Sequence, residues 1–193
     1  MNDREAATRY LRGIAEEHRG DRDAGESLVK DFDRELKTAA PLDRKDLAAA
    51  LADLVRQKDE HLWACALDGL VHAGEASEIA ALAEEVSRGK HDPDWRDMIV
   101  FALLKLRQNQ HRALIIEQAR TAFVARRIAA AGIISSLCYV DRGAWLELAS
   151  AYLGETADSE WTEGLLAPFV SNAAALDDGL LPLLVQKDRK SVV

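Results

Sequence analysis

Apolar residues recur along this chain at steps of three and four. Ala7, Tyr10, Leu11 and Ile14 make one stripe, and Val29, Phe32 and Leu36 make a second. Leu47, Leu51, Leu54 and Val55 follow, then Leu62, Ala66, Leu67, Leu70 and Ala73, then Ile79, Leu82, Ala83 and Val86. The strongest stripe is Trp95, Met98, Ile99, Ala102, Leu103 and Leu106, and further apolar segments lie at Leu114/Ile115, Val124–Cys138, Trp145–Leu153, Trp161–Val170 and Leu180–Val185. That spacing puts each set on one face of a 3.6-residue helix, and no run alternates as a strand does. The chain is therefore expected to be all-α, with roughly eight to eleven helices.

The punctuation between stripes agrees. Asp43, Asp59 and Asp92 stand where N-caps belong, and Pro93 takes the first helical position, where a missing N–H costs nothing. Gly74, Gly89 and Gly154 fall past apolar stripes and read as helix stops. The connections are short, so consecutive helices should run antiparallel.

A faint repeat overlies the stripes. Leu62–Leu70 aligns with Trp95–Leu103 at an offset of 33, and Arg127–Ile134 follows about one period later. A shorter amphipathic helix precedes each copy. Ala66, Gly69, Ala102, Ala131 and Gly132 are small residues that would let neighbouring helices approach closely. Two helices per unit of 30 to 45 residues mark an α-solenoid. On Leu62–Gly74, Trp95–Arg107 and Arg127–Cys138 the sequence resembles the HEAT-like repeat family. The resemblance implies a right-handed α-solenoid of antiparallel helix pairs, the alternative being an irregular helical bundle. It also implies N-terminal helices over 1–42 packing on the solenoid, repeats over 43–175, and a C-terminal capping helix and tail over 176–193. HEAT-like proteins share a shape rather than an activity; most are scaffolds, adaptors or inhibitors, and a minority, including alkyl-purine DNA glycosylases, act on nucleic acid.

Composition changes the picture little. The 193 residues are 48% apolar with a net charge of −8, which suits one domain or two small ones with a core that needs neither metal nor disulfide. Two cysteines make no disulfide framework, and Cys65 and Cys138 each sit in an apolar helical stretch, as small hydrophobes do. The charged N-terminus lacks a signal peptide's apolar core, and the longest apolar runs, Met98–Leu104 and Ala129–Ile134, are far short of the roughly 20 residues that span a bilayer. A cytoplasmic protein with no membrane partner is the expectation.

Catalytic chemistry is sparse. His18, His61, His72, His91 and His111 form no HExxH or ExxH, so neither a metal nor another cofactor is expected. His91-Asp92-Pro93-Asp94 reads as a turn and cap rather than a ligand set. Gly20–Ser27 has the spacing of a phosphate-binding loop, but Glu26 stands where the lysine belongs and no strand precedes it. Adjacent carboxylates such as Glu16/Glu17, Glu84/Glu85 and Asp177/Asp178 point about 100° apart on a helix and make no acid–base dyad.

Charge is unevenly spread. Residues 96–127 hold seven basic and two acidic residues, whereas 141–178 hold eight acidic and one basic. The repeat alignment puts Trp63, Arg96 and Arg127 in one row and His72 with Lys105 in another. Such rows line one surface of a HEAT solenoid, and Trp and Arg dominate interface hot spots. Together with Arg107 and Arg126 of the basic band and Glu160 and Glu163 of the acidic end, they are the expected partner-binding residues. The functional expectation is a non-catalytic protein-binding module, in its concrete form a bacterial immunity protein that neutralises a toxin by covering it. The alternative resembles the alkyl-purine DNA glycosylases, with the basic band on phosphates and Trp63 or Trp95 plus Asp97 at the lesion; the net negative charge weighs against nucleic acid.

Overall fold

The computed structural model describes residues 3–18, 23–58, 62–89 and 91–155. Among them are nine α-helices, two short 3-10 turns and no strand, in agreement with the all-α reading. The Trp161–Val170 and Leu180–Val185 stripes, Asp59, His61, Glu160 and Glu163 lie outside the described residues.

Two compact units divide the chain, Met1–His91 and Asp92–Val193, so the expected boundary at 42 falls within the first. That unit holds α1 (Asp3–Glu17), α2 (Ala24–Thr38), α3 (Pro41–Gln57), α4 (Leu62–Ala73) and α5 (Ala76–Ser87). Its core is built from Leu11, Phe32, Leu36, Leu51, Leu54, Leu67, Leu70, Ile79 and Leu82, all buried. Burying each such side chain contributes about 1.5–3 kcal/mol. In α2 the buried stripe begins at Leu28, with Val29 half-buried, one residue off the expected register. Tyr10 is exposed and donates its hydroxyl to Glu35 Oε2 at 2.7 Å, linking antiparallel α1 and α2.

The second unit contains α6 (Pro93–Lys105), α7 (Arg112–Val124), α8 (Ala129–Ser136) and α9 (Arg142–Glu155). Trp95, Ile99, Leu103, Ile115, Ile133, Ile134, Leu137 and Tyr152 are its buried centre. The Phe123 and Tyr152 rings pack at 5.8 Å, tilted.

Within each unit a helix packs on its chain neighbour and on the helix after that. The next-neighbour pairs in contact are α1 with α3, α2 with α4, α3 with α5, α6 with α8, and α7 with α9. Their register shows that these pairs run parallel. In α2 and α4, Gly25 lies near Cys65 and Phe32 near Gly69. In α3 and α5, Arg44 reaches Glu75 and Arg56 reaches Glu85, each at 2.6 Å. In α7 and α9, Arg112 pairs with Asp141 and Arg120 with Glu147. Two of the small residues are needed for this stacking. A Cβ on Gly69 would stand 2.9 Å from Phe32 Cβ, and one on Gly132 would stand 2.8 Å from Phe101 Cζ.

Helix ends follow the punctuation in most places. The Asp92 carboxylate accepts from the Trp95 amide at 3.1 Å, and Pro93 opens α6. Gly74 and Gly89 end helices at φ 75° and 68°. Asp43 is not a cap: α3 starts at Pro41 with Ala40 before it, which leaves Asp43 in the first turn, where its charge still meets the helix dipole. Gly154 lies inside α9 rather than after it.

Candidate functional site

A concavity of the second unit forms where α7 turns into α8 beside the start of α6. Helix α7 ends with paired backbone bonds, Arg126 N to Phe123 O and Arg127 N to Ala122 O, both 2.9 Å. This is a Schellman closure, which puts its C′ residue in the left-handed region. Glycine is the ordinary occupant, but here it is Arg126, at φ 52°. The chain then delivers Arg127 beside α6. Its Nε and Nη2 donate to both oxygens of Asp97, at 2.7 and 2.8 Å, and the Asp97 carboxylate is only 3% exposed. A bidentate pair of this kind satisfies a buried carboxylate that would otherwise be very costly.

Around this pair lies a groove of 640 Å³ lined by Asp94, Phe101, Ala125, Arg126, Ile128, Ala129 and Gly132 with Asp97 and Arg127. Ile128 is 93% exposed, and Val124, one turn earlier, is 81% exposed. Arg126 and Asp94 are both exposed, and neither forms an ion pair or hydrogen bond among the described residues. A second groove of 470 Å³ lies between α1 and α3, where Arg4 is paired with Asp53.

The expected partner-binding residues are dispersed among different environments. Trp63 is half-buried on α4, with the Lys58 ammonium 5.9 Å from its ring centroid, and His72 is exposed in the last turn of the same helix. In the second unit, Lys105 and Arg107 are exposed at the end of α6, and Arg107 is another left-handed C′ residue, at φ 52°. Arg96 is half-buried, and its Nε makes no hydrogen bond among the described residues. Arg127 is committed to Asp97 rather than presented outward. Of the expected partner-binding residues, the groove brings together Arg126 and Arg127.

Part of the basic band is neutralised internally. Arg112, Arg120 and Arg127 each hold a carboxylate 27 to 30 positions away. The basic and acidic blocks are thus partly two sides of one interhelical ladder. Asp141 also caps α9, accepting from the Ala144 amide at 3.0 Å; that bond, with Arg112 beside it, holds its carboxyl below the usual range. Burial would raise the Glu85 carboxyl, but hydrogen bonds from Arg56 and His91 outweigh it and leave it lowered. Burial raises both Cys65 and Cys138 thiols, away from a reactive thiolate. It pushes Tyr152 up to about 12.

Of the residues that the glycosylase-like alternative would use, Trp63, Trp95 and Asp97, the groove contains Asp97. Trp95 is fully buried in the core, and both Asp97 oxygens are taken by Arg127. Sequence reasoning gives no binding role to Ile128, Val124 or Phe101, and it assigns Asp94 to a turn and cap. The signal for the first two was an apolar residue on either side of two arginines at a helix break. No family model, curated protein or solved structure matches this chain.

Proposed function

We propose that the chain is a short right-handed α-solenoid, HEAT-like in its pairing of helices, that works as a non-catalytic protein-binding module. Support for the solenoid is the contact rule within each unit: every helix touches the next and the one after, and the latter pairs run parallel. Stacked helix pairs obey that rule. The observation that carries the binding role is the surface at the α7–α8 turn. There an almost fully exposed isoleucine, an arginine without an ion pair among the described residues, and an open groove meet. Exposed aliphatics beside an arginine are what protein interfaces bury.

An inhibitor such as a bacterial immunity protein is the concrete form we favour, because the chain is small, acidic and helical, as such inhibitors are. The glycosylase-like alternative draws no support from Trp95 or Asp97, whose side chains are occupied in the core and in an ion pair.

The test is reconstitution. A protein retained on the immobilised chain is identified, produced separately and mixed with it. Re-formation of a stoichiometric complex, with loss of that protein's own activity, supports the inhibitor reading. Steeply salt-dependent binding of duplex DNA, with no protein complex re-formed, would refute it.

A further inference from the structure

We propose that the α7–α8 groove receives a segment of another protein carrying a bulky apolar side chain with a carboxylate beside it. This rests on the protein-binding reading and names the chemistry of the partner. Three independent features of the site converge on it.

The first is apolar. Ile128 forms a wall of the groove and is almost wholly exposed, while Phe101, Ala129 and Gly132 contribute further lining. Because Gly132 has no Cβ, the ring of Phe101 sits close to the α8 backbone. An isoleucine so exposed gains most by association with an apolar group.

The second is conformational. Arg126 occupies a left-handed position, φ 52°, where glycine carries no steric penalty. Its side chain makes no ion pair among the described residues, so nothing within them offsets the strain. Lys58 and Arg107 hold the same kind of left-handed position at helix ends, so what sets Arg126 apart is that its turn delivers the cation to the rim of a groove.

The third is the order of charge. Arg127 is consumed by Asp97, which leaves Arg126 as the cation of the rim, on the turn, and Asp94 as its carboxylate, on the first turn of α6. A partner segment with its acidic residue toward Arg126 and a neutral or basic residue toward Asp94 is complementary. A run of phosphates would meet Asp94 as well and is disfavoured. A second copy of this chain would have to build a dimer on one isoleucine and one groove, against the roughly 800 Å² per partner of a standard interface.

The experiment pans a phage-displayed random peptide library on the immobilised full chain at low salt. The expected result is a consensus with one aromatic or branched apolar residue next to Asp or Glu. Peptides of that consensus should bind at least about tenfold more weakly to Ile128→Asp and to Arg126→Gly. Arg126→Gly should melt no lower than the wild type, which separates loss of binding from loss of fold. Failure to enrich a consensus overturns the proposal, as does a concentration-dependent dimer that Ile128→Asp abolishes. Peptides that bind both variants undiminished overturn the groove but leave the protein-binding reading standing. Displacement of the peptides by duplex DNA would overturn both.

Discussion

Arg127 and Arg126 are adjacent in sequence and opposite in role. Arg127 turns inward to a carboxylate that is almost inaccessible, and Arg126 stays outside in a strained backbone conformation. Residue type and charge-block counting treat them alike; the difference comes from the Schellman closure at the end of α7, which fixes where each side chain leaves the backbone. The Asp97–Arg127 pair therefore belongs to stability. Asp97→Asn or Arg127→Ala should each cost about 3 kcal/mol, because one partner is left desolvated, whereas Asp97→Leu with Arg127→Met should cost far less. Denaturant unfolding of the three variants checks this; equal losses in all three would mean that the pair contributes more than mutual compensation. Arg127→Glu, attractive from sequence as an interface reversal, would put two carboxylates together and disturb the fold instead. The burial of Trp95 and the cap at Asp92 were legible because each follows from local spacing. The partner of Arg127 was not, since it lies 30 positions away and only the stacking of α6 on α8 brings it close.

At the scale of helices, stripes and small residues carried most of the information. Gly69 and Gly132 stood out as places of close approach, and each meets a phenylalanine of a parallel helix. The two contacts differ in kind. Gly69 faces the Cβ of buried Phe32, an atom fixed to the backbone; Gly132 faces the far end of half-buried Phe101, which can swing aside. Gly69→Ala should thus lower stability by about 1–3 kcal/mol. Gly132→Ala should stay within about 1 kcal/mol of the wild type, since alanine's helix propensity offsets the crowding. Thermal melts of both variants decide it, and an undisturbed Gly69→Ala protein would mean that α2 and α4 are not held at this distance. The ladder of Arg–carboxylate pairs was harder to read. Its members recur at separations of 27 to 31, the length of one helix pair, so an arginine and its carboxylate sit in different stripes of the sequence. Counted by region, the same residues looked like a basic pole and an acidic pole.

For the molecule as a whole, helical class was fixed by periodicity, and the two-helix period suggested how the helices stack within a unit. The binding surface was not legible to the same degree. Its apolar element, Ile128, reads as part of the apolar segment Val124–Cys138, whereas it stands between two helices rather than within one. Rows of aligned positions pointed to Arg96 and Arg127, while the open surface is made by the neighbouring Arg126 and Ile128. The central claim is that this surface meets protein. The most direct measurement places a photo-crosslinking amino acid at position 128 of the full chain, produced in the cells that make it naturally, with position 37 on the exposed face of α2 as control. The account predicts one dominant protein adduct at 128, absent at 37, whose purified protein forms the same adduct when mixed with the chain alone. An adduct to nucleic acid at 128, or equal labelling at the two positions, would contradict it.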